Sequence, residues 1–194
     1  MSKKIIFIFI CIFLFFSDSA ESSQQVEYTL KRGISISIPI DWFTKEEHDP
    51  IYKINGTTYD RYYFFAFKSN KNGDYAEISV LSKVPPTPTK QQILKYTPSD
   101  FKSLDSECLE AYKLMGVTIH GYEPYIPFVF KGFKAFRNSV TYTAPNFQTF
   151  VIDNIHLSTN NKSILISFKV SPPSSLNVWL KDLGAILESI KINE

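Results

Sequence analysis

Six successive positions, Tyr62-Tyr63-Phe64-Phe65-Ala66-Phe67, are apolar, and this run constrains the fold more than any other segment. As a strand it turns side chains alternately to both faces of a sheet, so both faces of that sheet call for cover by further layers. The flanking sequence supports the strand assignment. The polar stretch Ser69 to Asp74 leads into the alternating Ala76-Glu77-Ile78-Ser79-Val80-Leu81, and Asn55-Gly56 upstream is a hairpin-turn dipeptide between Ile51–Ile54 and a strand from Thr57. Ile34, Ile36 and Ile38 alternate with Ser35 and Ser37 until Pro39, after a shorter strand from Val26 to Leu30.

The middle of the chain reads as helical. Thr89 and Gln92 form a capping-box pair for a short helix through Tyr96, and Thr97, Pro98 and Asp100 have the residue types of N-cap, first position and first turn of a longer one. Gly116 stands where a left-handed residue ends it. The face of this second helix is expected to be Phe101, Leu104, Cys108, Ala111 and Met115, which makes Cys108 a core side chain. Strands return at Val117–Tyr122, Phe128–Lys131, Phe133–Thr143, Phe147–Ser158 and Ser163–Val170. A closing helix follows with Leu176, Leu180, Leu183, Leu187 and Ile190 on one face. Strands, helices, strands, helix is the order of an α+β fold with a largely antiparallel sheet and helices packed on it.

The opening residues have a different character. Lys3 and Lys4 precede twelve apolar residues from Ile5 to Phe16, and Ser17-Asp18-Ser19-Ala20 follows. Twelve residues rise about 18 Å as a helix, short of the roughly 20 residues a membrane span needs. Residues 1–19 are therefore expected to be a secretory signal peptide, leaving residues 20–194 as one domain, exported to the periplasm or the medium. Lipidation at Cys11 is disfavoured by the bulky Ile8-Phe9-Ile10 before it. With Cys11 removed, Cys108 stands alone and no intrachain disulfide can form. Hydrophobic residues make up 44% and charged residues 21%, with a net charge of +2 and scattered basic residues; this composition argues against disorder and nucleic-acid binding. No membrane-spanning segment is expected in the mature chain.

Motifs for chemistry are missing where they would be needed. No two of the seven glycines lie two residues apart, so no dinucleotide-binding loop forms; Gly116 and Gly121 have the spacing of a phosphate loop but lead into Tyr122-Glu123. His48, His120 and His156 are far apart in sequence, and the latter two lie in strands. Glu46-Glu47-His48-Asp49 is the densest set of possible metal ligands, yet adjacent residues of an extended chain point to opposite sides. Cys108 has acidic neighbours, Glu107 and Glu110, which oppose a reactive thiolate. No catalytic, metal-binding or cofactor-binding residue is assigned, and no cofactor is expected.

The segment Gly121-Tyr122-Glu123-Pro124-Tyr125-Ile126-Pro127-Phe128 stands apart: two prolines break regular structure while three aromatic rings remain, so it reads as a loop. Tyr122, Tyr125 and Phe128 are the candidate partner-binding residues, because exposed rings of this kind mark interaction surfaces.

The stretch Ile34-Ser35-Ile36-Ser37-Ile38-Pro39-Ile40-Asp41-Trp42, an alternating strand with a proline and then a tryptophan three residues later, resembles the N-terminal signature of PsbP-like domains. These include bacterial DcrB-type exported proteins and a photosynthetic extrinsic subunit, and the likeness extends over the element order of the whole mature chain. It implies an α-β-α sandwich around an antiparallel sheet, and a non-enzymatic binding, assembly or chaperone-like module without prescribed site residues. The expected function is therefore that of an exported module recognising a protein partner in the cell envelope, through the aromatic segment or a sheet edge. One alternative is a hydrolase or metal-dependent enzyme whose site gathers the dispersed histidines; another is a structural subunit of an envelope complex. The sequence leaves the oligomeric state open.

Overall fold

The computed structural model describes residues 24–54 and 56–193; the expected signal peptide, residues 1–19, lies outside them. Among the described residues, ten strands fall into two sheets. Seven of them, β3 (Phe43–Ile54), β4 (Thr57–Ser69), β5 (Tyr75–Val84), β6 (Thr118–Phe130), β7 (Phe133–Thr143), β8 (Thr149–Ser158) and β9 (Ser163–Ser171), build the main sheet in the order β3-β4-β5-β9-β8-β7-β6. Every pairing in it is antiparallel. The alternating strand β2 (Ile34–Pro39) joins β1 (Gln25–Leu30) and the short β10 (Lys191–Ile192) in a separate three-stranded sheet. Three helices among the described residues complete the α+β fold: α1 (Lys90–Lys95), α2 (Pro98–Leu114) and α3 (Leu176–Ser189).

The main core lies on one face of the large sheet. Tyr62, Phe64 and Ala66 of β4, Ile78 and Val80 of β5 and Ile166 of β9 pack there with Ile34, Ile36 and Ile38 of the small sheet and with Trp179, Leu183 and Ile186 of α3. The periodic stripe of the closing helix is thus buried, centred on Trp179, Leu183 and Ile186 with Leu180 and Leu187 at its margins. Helices α1 and α2 lie against β6, β7 and β8. Both carry the capping boxes read from their sequences, Thr89 with Gln92 and Thr97 with Asp100, and Gly116 ends α2 at φ +70°.

Three expectations change. The doubly apolar strand is covered on one side only: Tyr63, Phe65 and Phe67 remain half-buried on the other face and shield one another, with Tyr63 and Phe65 stacked at 6.0 Å and Phe67 stacked on Phe43 at 5.8 Å. Ring stacking and the Arg61 guanidinium over Tyr63 stand in for a covering layer. In α2, Ala111 and Met115 are exposed, and the sheet-facing side is Phe101, Leu104, Asp105, Cys108 and Tyr112. Asp105 takes its place on that side by accepting hydrogen bonds from Tyr122 and Tyr125 of β6. Finally, residues 118–130 form one strand where two strands and a loop were expected.

Candidate functional site

β6 keeps running through Pro124 and Pro127 because it is an edge strand, bonded only to β7, where a missing N–H leaves no partner unsatisfied. The register slips between Glu123 and Ile126, which takes Tyr125 out of the ladder. Its freed N–H donates to Asp105 Oδ1 of α2 at 2.8 Å, and the same oxygen accepts from the Tyr122 hydroxyl at 2.6 Å. One carboxylate thus ties the helix to the edge strand by two charge-assisted hydrogen bonds.

The side chains of this segment turn inward. The Tyr125 ring meets Phe136 edge-on at 5.4 Å and His156 at 5.5 Å, and its hydroxyl lies 3.4 Å from His156 Nε2. Tyr96 and Phe101 pack on the same Phe136, completing an aromatic cluster under the two helices. Phe128 points to the opposite face and packs on the main core. The three predicted partner-binding rings are therefore half-buried, and the exposed apolar side chains of this edge are their strand neighbours, Ile126 at 47% and Val129 at 66%.

Burial controls the ionisation of the cluster. It pushes the His156 imidazole down to about 4, so the ring is neutral near pH 7. It raises the hydroxyls of Tyr122 and Tyr125, helped by the Asp105 carboxylate and by Cys108 nearby. Beside the cluster runs a chain of amides: Ser167 Oγ donates to Asn154 Oδ1 at 2.7 Å, Asn154 Nδ2 to Asn138 Oδ1 at 3.3 Å, and Asn138 Nδ2 to Cys108 Sγ at 3.5 Å. Cys108 is half-buried and faces this polar seam, where an apolar setting was expected. These groups satisfy one another and tie α2 to β7, β8 and β9, while the two Asp105 bonds form the clamp that fixes the edge strand. Asp105 carries no local signal in the sequence, because its partners are 17 and 20 residues away in the chain.

The dispersed histidines do not converge. His48 on β3 contacts Asp60 at 2.7 Å and His120 on β6 contacts Thr143 at 2.7 Å. These strands are the two edges of the main sheet, six spacings or about 29 Å apart. Among the described residues, no three His, Cys, Asp or Glu side chains gather in a way that could hold a metal ion, and no helix is long and apolar enough to cross a membrane.

No family model matches the sequence, and no curated protein is similar to it. Solved structures are similar in fold. LpqN of Mycobacterium tuberculosis, described as involved in cell envelope biogenesis, is 13% identical with a TM-score of 0.50, covering 88% of this chain and 91% of its own. Cyanobacterial PsbP (CyanoP) from Synechocystis is 10% identical with a TM-score of 0.48, covering 92% of this chain and 99% of its own. A protein of Bacteroides thetaiotaomicron is 9% identical with a TM-score of 0.49 over 89% of this chain, which spans half of that one.

Proposed function

From its α+β, PsbP-like fold, we propose that this chain is an exported, non-enzymatic module that recognises a protein partner of the cell envelope along the edge strand β6. The observation that carries the reading is the clamp. Asp105 and the Tyr125 cluster hold an edge strand in one conformation while Ile126 and Val129 stay exposed along it. A surface that is ordered before binding loses little conformational entropy on docking, and exposed apolar side chains on it supply the driving force. The part in cell envelope biogenesis ascribed to LpqN agrees with this reading. In it Tyr122, Tyr125 and Phe128 set the shape of the surface from behind.

The prolines limit how a partner can bind. Pro124 and Pro127 interrupt the row of N–H donors, which disfavours continuous strand addition and favours side-chain contacts. The test is an affinity pull-down from an envelope extract of the native organism, with Ile126→Asp/Val129→Asp as the comparison. A specific partner retained by the wild type and lost by the double variant, at equal melting temperature, supports the proposal. Equal retention by both proteins would refute the assignment to β6.

A further inference from the structure

On the same sheet face as His156, next to the aromatic cluster, the structure contains a cavity of about 260 Å³. It lies between the main sheet and the segment that leads through Thr87 and Pro88 into α1. Its polar lining is Arg61, Lys83, Thr87, His156, Ser158 and Ser163, and its apolar side includes Leu81, Ile93 and Phe136. No Asp or Glu lines it. The cleft on the other side of α1, with Lys90, Lys131 and Lys134, also lacks a carboxylate.

Lys83 is the critical group. It is half-buried, its ammonium sits 5.2 Å from the centre of the Tyr59 ring, and it forms no ion pair among the described residues. Burial presses its pKa below the ordinary lysine value, opposed by Tyr59 and aided by the neighbouring Arg61. The Ser163 hydroxyl makes no hydrogen bond among the described residues, whereas the Ser158 hydroxyl is occupied by the Pro88 carbonyl at 2.5 Å. A cation and a hydroxyl donor therefore border a space with an apolar wall. We propose that this cavity binds a compact organic anion, with its carboxylate or phosphate group against Lys83 and Ser163 and its apolar body against Leu81, Ile93 and Phe136. The volume is just below the usual range for small-molecule pockets, about 300–1,000 Å³, which limits the body to roughly the size of one ring. This inference stands apart from the partner reading of β6, which can fail without affecting it.

The test is calorimetric titration of the full chain with benzoate, phenyl phosphate, inorganic phosphate and benzyl alcohol. Saturable one-to-one binding of benzoate or phenyl phosphate is expected, and the tighter of the two identifies the head group. Lys83→Met should weaken that binding about tenfold or more through loss of a charge-assisted contact, and Ser163→Ala about threefold. Lys134→Met, in the neighbouring cleft, should leave it within about twofold. Neither anion saturating the wild type by about 10 mM would overturn the proposal. So would benzyl alcohol or inorganic phosphate binding as tightly as the preferred anion, or an equal loss in Lys134→Met.

Discussion

The imidazole of His156 lies parallel to the ring of Phe136, with centroids 4.9 Å apart and planes at 6°. Stacking of this kind buries the histidine against carbon and favours its neutral form, in agreement with a pKa pushed down to about 4. Asp153 stands on the same strand at the opposite parity, 5% exposed, with Oδ1 lacking a hydrogen-bond partner; burial raises its pKa to about 6 although Arg137 opposes the shift.

The two shifts act on stability with opposite signs. Between pH 6.5 and 4 the unfolded chain protonates His156 and the folded chain resists, so this residue's contribution is present above pH 6.5 and lost as pH falls. Asp153 holds a proton in the folded state that the unfolded chain releases, so its contribution is present below pH 3.8 and lost as pH rises through 6. Each is worth on the order of 3 kcal/mol, and they largely cancel. Urea midpoints between pH 4 and 6.5 should therefore vary little in the wild type, fall toward acid in Asp153→Asn, and fall toward neutrality in His156→Gln. Parallel curves for all three proteins would refute this opposition.

Leu183 is buried in the main core beneath the small sheet. Leu183→Ala should cost about 2–5 kcal/mol in denaturant unfolding, the usual range for emptying a buried leucine site. Tyr125→Ala should also destabilise, by about 2 kcal/mol, because its ring bridges Phe136 and His156. Val129→Asp, at an exposed position of the same strand, should remain within about 0.5 kcal/mol.

The amide chain ending at Cys108 makes a separate prediction. Cys108→Ser keeps an acceptor for Asn138 Nδ2 and should cost less than about 1 kcal/mol, whereas Cys108→Ala leaves that amide without its partner and should cost about 1–3 kcal/mol. Equal losses in thermal unfolding would show that packing, and not the hydrogen bond, fixes the thiol.

What the sequence reveals depends on how local the physics is. The caps at Thr89 and Thr97 need only residues three positions away, and both are found as read. The helical stripe through Leu183 is equally local. The course of β6 is not: whether Pro124 and Pro127 end a strand depends on which side of it faces another strand, a property of sheet order that spacing does not encode. The assembly of β1, β2 and β10 into a second sheet likewise joins Ile34 to Ile192 across the length of the domain. In the candidate site, the rings were visible in the sequence, but the Asp105 carboxylate that fixes them lies outside the apolar face expected of its helix.

Helix α2 buries none of its residues fully, although it spans seventeen positions. Its hold on the sheet comes from the Asp105 hydrogen bonds, the Phe101 ring and the half-buried Cys108 and Tyr112, none of which belongs to the main core. Lifting it therefore leaves the opposite face of the sheet intact, and its amides should exchange with solvent hydrogen through a local opening cheaper than global unfolding. The clamp is thus also a latch, and its release would uncover Tyr125 while β6 stays paired with β7 and the domain stays folded.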